Sequence, residues 1–194
     1  MISREAHDIL MELWVGRKYA TPDRITKRLT HLEGLLPLLE DRSVLELGAN
    51  AGLHAVEIMK HASSYVGVEP SPVYQKQWHT TCAHFCPHRI MVILDAVEDV
   101  PLPFCNDGSG ALVACVMLYL LSPKELVHIE KRILPECSLV IIQERVAGRG
   151  KKGNTTNGLH TPEAITKWLT AQGFACYEYW HRKGKFFEIV GHRS

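Results

Sequence analysis

No stretch of this 194-residue chain approaches the ~20 consecutive apolar residues of a membrane-crossing helix, so no membrane association is expected. An excess of one charge is missing too. The 22 Lys and Arg balance 21 Asp and Glu, leaving a net charge of +1, and any attraction to nucleic acid has to come from a local patch. The opening residues Met1-Ile2-Ser3-Arg4-Glu5-Ala6-His7-Asp8 lack a basic stretch leading into an apolar core, so they read as a helix start and not as an export signal. The six cysteines form no disulfide-like framework, and Cys115 falls inside an apolar run where a thiol behaves as a small hydrophobe. A reducing, cytoplasmic setting is expected. Repeats, low-complexity tails and linkers are absent as well, which leaves one domain over residues 1–194, with 1–42 as a helical flank or lid and 43–194 as an α/β core.

What is present is a change of hydrophobic period near Ser43. Before it, Ile2, Ala6, Ile9, Leu10, Leu13 and Trp14 share one helical face. A second helix starts at Thr21-Pro22, with Ile25, Leu29, Leu32, Leu35 and Leu36 on its apolar side. Beyond Ser43, apolar runs at 44–47, 65–68, 90–94, 111–118 and 139–142 alternate with helical stretches starting near Gly52, Pro72 and Pro123. The last of these is announced by the capping box Ser122-Pro123-Lys124-Glu125. Such alternation predicts a parallel sheet covered by helices on both faces. A Gly-rich loop over 148–158 leads to a helix capped by Thr161-Pro162-Glu163 and ended by Gly173, and 174–181 and 185–190 then flank a Lys183-Gly184 turn as a closing hairpin.

In an open α/β sheet, ligands gather at the carboxyl ends of the strands, where a glycine turn lets the backbone come close. Glu46-Leu47-Gly48-Ala49-Asn50-Ala51-Gly52 has that placement, and the helix after it offers unpaired N–H groups. A dinucleotide site wants Gly-x-Gly-x-x-Gly, and here Asn50 and Leu53 stand where its second and third glycines belong. Glu69 closes the second run in Val66-Gly67-Val68-Glu69-Pro70-Ser71, and Asp95-Ala96-Val97 follows the third, each placing a hydrogen-bond-accepting carboxylate at a strand end.

With its acidic residue, Gly-x-Gly-x-Gly spacing and Asn50 in the middle glycine place, 44–52 resembles the first motif of the class I S-adenosylmethionine-dependent methyltransferases. The likeness spans roughly 38–193, through Glu98-Asp99-Val100-Pro101-Leu102-Pro103, Leu134-Pro135-Glu136-Cys137-Ser138-Leu139-Val140 and Gly173-Phe174. It implies a Rossmann-like α/β fold: a mostly parallel seven-stranded sheet with a C-terminal antiparallel hairpin, helices on both faces and an N-terminal helical segment. It also implies that Glu46, Gly48, Asn50, Gly52, Glu69, Pro70, Asp95, Ala96, Val97 and Val116 hold S-adenosylmethionine and its product S-adenosylhomocysteine. In that role Glu69 accepts from the ribose hydroxyls, Asp95 from the exocyclic amine of adenine, and Val97 donates through its backbone.

A sulfonium already carries an activated methyl, so the protein has mainly to hold an acceptor in line and, where that acceptor carries a proton, to receive it. Tyr119, Glu144 and His160 are the candidates for this work, Tyr119 by orienting the substrate and Glu144 as a base. Trp14, Tyr19 and His31 are candidates for a lid over the substrate, and Arg145 and Arg149, with Lys151 and Lys152, form a basic loop over 145–152. His54 is close to the cofactor by location, though its direction is not legible. No Asp-Pro-Pro-Tyr, Asn-Pro-Pro-Tyr or Pro-Cys motif follows the fourth strand, so DNA bases are not expected acceptors.

The minimal length and the absence of an added nucleic-acid domain favour transfer to an O or N atom of a small molecule. RNA bound by the basic loop is the alternative enzyme reading, and a non-catalytic S-adenosylmethionine-binding regulatory subunit is the alternative from another class. His79, Cys82, His84, Cys86 and His88 crowd into ten residues, but their spacing matches no zinc finger and only His79 and Cys82 share a helical face, so no metal is expected.

Overall fold

The computed structural model describes residues 32–86, 90–105, 108–115, 118–145, 159, 161–181 and 186–193. Strands and helices follow one another as β1 (Ser43–Leu47), α1 (Leu53–Ile58), β2 (Ser64–Val68), α2 (Pro72–Phe85), β3 (Met91–Leu94), β4 (Gly110–Cys115), α3 (Pro123–His128), β5 (Cys137–Arg145), α4 (Pro162–Ala171), β6 (Ala175–His181) and β7 (Phe186–His192). The strands form a seven-stranded sheet in the order β3-β2-β1-β4-β5-β7-β6. β1 through β5 run parallel, and β7 lies antiparallel between β5 and β6, so the expected hairpin is present, its Lys183-Gly184 turn lying outside the described residues.

The apolar runs are strands because both faces of the sheet are buried. Leu45, Leu47, Leu112, Ala114, Val140 and Ile142 turn to one side, where Leu126 of α3 and Ile165 and Leu169 of α4 cover them. Val44, Ala111, Val113, Leu139 and Ile141 turn to the other, against Ala55 and Ile58 of α1 and Trp78 and Cys82 of α2. Leu32 joins this second layer, with Leu36 and Leu39 of the 3-10 turn Leu36–Leu39; residues 32–35 form a turn and not the end of the second helix expected from the sequence, and the remainder of the two N-terminal helices lies outside the described residues. Ser122 caps α3 with the full reciprocal box, and the Thr161 side chain accepts from Ala164 N–H at the start of α4.

Two boundaries differ from the sequence reading. The run 111–118 is not one strand: β4 stops at Cys115, and Leu118–Leu120 form a 3-10 turn. Leu118 is apolar because it is fully buried, not because it is extended, and its N–H donates to a side chain instead of a ladder. The fifth run extends beyond 139–142 to Cys137–Arg145 because seven residues of β5 pair with β7. That pairing buries Gln143 and Glu144, which a hydrophobic count places outside a strand.

Candidate functional site

From β1 the chain lays β2 and β3 on one flank and then returns to lay β4 on the other. Crossovers leaving in opposite directions open a crevice at the carboxyl ends of β1 and β4, and the turn 48–52 occupies it. The N–H groups of Gly48 and Ala49 both donate to Val68 O, at 2.8 and 3.0 Å, which pins the turn to the end of β2. Alternate residues are left-handed, with φ of 74° at Gly48, 49° at Asn50 and 81° at Gly52. Asn50 tolerates its angle because its short side chain bonds locally, Nδ2 donating to Gly48 O at 2.5 Å. At Gly52 a Cβ would lie 2.9 Å from Trp78 Cδ1 and 3.1 Å from Cys82 Sγ, so only glycine fits.

Glu69 stands just past β2, buried to 6% exposure, and accepts from Asn50 N–H at 3.0 Å and from Ser71 N–H at 2.9 Å. A carboxylate has about four acceptor positions, so Glu69 has capacity left for a vicinal diol. Gln75 of α2 stitches this edge together, its Nε2 donating to Glu69 O at 2.6 Å and to Asp95 Oδ1 at 2.5 Å. Pro70 and Asp95 are exposed, Ala96 is half-buried, and Val97 is buried in the 3-10 turn Val97–Asp99. Gly48, Asn50, Gly52, Glu69, Pro70 and Asp95 are thus gathered along the ends of β1, β2 and β3. Gln75 went unread in the sequence because Asp95 is 20 residues away, brought near only when β3 pairs with β2.

Glu46 sits beneath the turn rather than in it. Fully buried, it accepts from Tyr65 Oη at 2.5 Å on one oxygen and pairs with His54 Nδ1 at 2.8 Å on the other. Burial disfavours a charged His54, but contacts with Cys115 and Glu46 outweigh it and hold the imidazole pKa well above its ordinary value. Burial pushes the Cys115 thiol up despite the neighbouring His54, and burial together with Glu46 pushes the Tyr65 hydroxyl up. His54 and Glu46 thus form a hydrogen-bonded pair that joins β1 and α1 under the glycine turn, with Cys115 at the end of β4 beside it.

On the far side of the crevice, Glu144 of β5 is 1% exposed and accepts from Leu118 N–H at 2.8 Å. It anchors the turn Leu118–Leu120, in which Tyr119 lies and from which Leu120 projects into solvent. Arg145 ends β5. Val116, Trp14, Tyr19, His31, Arg149, Lys151, Lys152 and His160 lie outside the described residues, as does His88. Cys82 is turned into the core while His79 and His84 are exposed, and among the described residues no three His, Cys, Asp or Glu side chains are placed to hold a metal.

No family model matches the chain, and no curated protein matches it. Solved structures do. A putative S-adenosylmethionine-dependent methyltransferase from Listeria monocytogenes superposes with a TM-score of 0.65 at 14% identity, covering 88% of this chain and 98% of that one. Magnesium protoporphyrin IX methyltransferase from Synechocystis, with bound S-adenosylhomocysteine, gives 0.63 at 12% identity over 98% and 95%. A putative tRNA methyltransferase from Streptococcus pneumoniae, in complex with S-adenosylmethionine, gives 0.61 at 18% identity over 87% and 72%. At such identities the likeness is one of fold, and that fold is the class I S-adenosylmethionine-dependent methyltransferase fold.

Proposed function

We propose that this chain is a methyltransferase that takes the methyl group of S-adenosylmethionine and delivers it to an oxygen or nitrogen atom of a small molecule. The observation that carries the reading is Glu69, a nearly buried carboxylate at the end of β2 with acceptor positions to spare, locked by two N–H donors beside a turn of alternating left-handed residues at the carboxyl end of β1. These residues fit the donor. Glu69 would accept from its ribose hydroxyls, Asp95 would meet the adenine edge, and the turn 48–52 would lie along its amino-acid end. When bound, the donor supplies a sulfonium methyl that an acceptor lone pair displaces, the C–S electrons staying on sulfur.

The chain's own part is to hold and to orient. Glu46 and His54 brace the turn from below. Glu144, buried and bonded to a backbone N–H, serves as a positioning residue for the turn carrying Tyr119 rather than as a proton acceptor. A net charge of only +1 supports a small acceptor over RNA, whose binding would rest on the loop 145–152.

Calorimetry with S-adenosylhomocysteine tests the core of this reading: saturable one-to-one binding is expected, and no detectable binding of either donor or product would overturn it. A transfer assay over a panel of metabolites and RNA, read by labelled methyl incorporation, separates the acceptor classes. Binding without turnover on any of them would favour a regulatory subunit.

A further inference from the structure

Glu69 and Asp95 end neighbouring strands. Val68 and Leu94 are register partners, and the ladder runs one step further, Glu69 N–H donating to Leu94 O at 2.9 Å. Asp95 therefore follows directly beside Glu69, but where Glu69 is buried, Asp95 is exposed. An exposed carboxylate at a strand end moves among several rotamers unless something holds it. What holds Asp95 is Gln75. The two partners of its Nε2, Glu69 O at 2.6 Å and Asp95 Oδ1 at 2.5 Å, can only accept, so the NH2 of the amide faces them and each of its two hydrogens has a target.

Gln75 is itself fixed. Its backbone N–H donates to Ser71 O at 3.0 Å, at the start of α2, and Ser71 N–H donates to Glu69 Oε1 at 2.9 Å. The amide that orients Asp95 thus stands on the same short segment that locks the carboxylate assigned above to the ribose. Gln75 takes one of about four acceptor positions on the Asp95 carboxylate and leaves the rest for a ligand.

We propose that Gln75 is the positioning residue that makes the donor site selective for a 6-aminopurine. It acts through Asp95. Holding that side chain in one rotamer before the ligand arrives removes an ordering cost that an exposed residue otherwise bears on binding. A group that only accepts, once held in place, favours a base whose exocyclic amine donates and offers nothing to a base without one. The assignment deepens the methyl-transfer reading by naming the residue behind its choice of nucleobase, and it rests on that reading for where the base lies.

The test is calorimetry of the intact protein with two ligands, S-adenosylhomocysteine and its analogue carrying purine for adenine, which lacks only the 6-amine. The wild-type protein is expected to prefer S-adenosylhomocysteine by about tenfold. Gln75→Met, of similar length but without a donor, is expected to cut that preference to within about twofold, chiefly by weakening S-adenosylhomocysteine. Gln75→Glu, which only accepts and repels Asp95, is expected to do the same and carries the test independently. In Asp95→Ala the preference is expected to be lost already, and adding Gln75→Met to change it no further. No preference in the wild-type protein overturns the assignment. So does a tenfold preference retained in both Gln75 variants, including the case in which both ligands weaken by one factor, as a purely structural role would produce. A further fall on adding Gln75→Met to Asp95→Ala overturns it too, because Gln75 would then touch the base itself. Failure of S-adenosylhomocysteine to bind the wild-type protein would instead strike the methyl-transfer reading, so the two fail separately.

Discussion

The two flanks of the crevice are built differently. The donor flank, at the ends of β1, β2 and β3, is made from short-range pieces: Gly48 to Gly52 form one turn, and Glu46 and His54 stand on either side of it. Its strain is local, in three left-handed residues, and its carboxylates are held by N–H, O–H and imidazole groups. The acceptor flank, at the ends of β4 and β5, is assembled across the chain, with Glu144 reaching back 26 residues to Leu118 and Glu188 meeting Gln143 from 45 residues away. The glycine turn is therefore written into a contiguous stretch, while the contacts at the ends of β4 and β5 depend on how distant strands come into register.

Breaking the buried pair on the donor flank has the largest effect. His54→Ala leaves the Glu46 carboxylate uncompensated and is expected to cost about 3–5 kcal/mol of folding stability, read by denaturant unfolding. The same pair has a pH signature. Because the folded pKa of His54 is raised above its unfolded value near 6.5, its contribution is complete below that pH and is lost as pH rises through the folded value. The stability gap between wild type and His54→Gln is thus expected to be widest in mild acid and to shrink as the solution is made alkaline; a gap that widens instead would mean that His54 is neutral in the folded protein.

Gly52→Ala combines a left-handed residue with a Cβ pressed against Trp78, and a loss of about 3 kcal/mol in stability is expected, with weaker S-adenosylhomocysteine binding in calorimetry. Glu69→Ala is expected to leave folding nearer to wild type and to weaken that binding by about 2 kcal/mol. On the acceptor flank, Glu144→Ala is expected to cost about 2 kcal/mol of stability through the unsatisfied Leu118 N–H. Glu144→Gln, whose amide oxygen still accepts, is expected to recover most of it together with methyl transfer; loss of transfer in a stable Glu144→Gln protein would make Glu144 a base after all. The smallest change is Asn50→Gly, which removes one local hydrogen bond but suits the positive φ, and a shift within about 1 kcal/mol is expected.

The donor flank was legible in the sequence and the acceptor flank much less so. Turn chemistry and strand-end carboxylates are local patterns, so Gly48, Asn50, Gly52, Glu69 and Asp95 were nominated from their places at strand ends together with the family resemblance, and the structure brings them together. Glu46 was nominated with them, yet it faces inward, because its position in β1 points its side chain to the α1 side, where Tyr65 and His54 take both oxygens. The overlong fourth run and the truncated fifth were misread for one reason: apolar count measures burial, and burial coincides with strand only where neither a turn nor a polar residue is buried as well.

The sequence by itself determined the alternation of strand and helix, the capped starts of α3 and α4, and the glycine turn, since each depends on residues within a few positions of one another. Tertiary structure decided the rest. Sheet register set Gln75 between Glu69 and Asp95 and put Cys115 within reach of His54. The residues that meet in this way stand from six to 61 positions apart in the sequence, and no local propensity encodes which of them will meet.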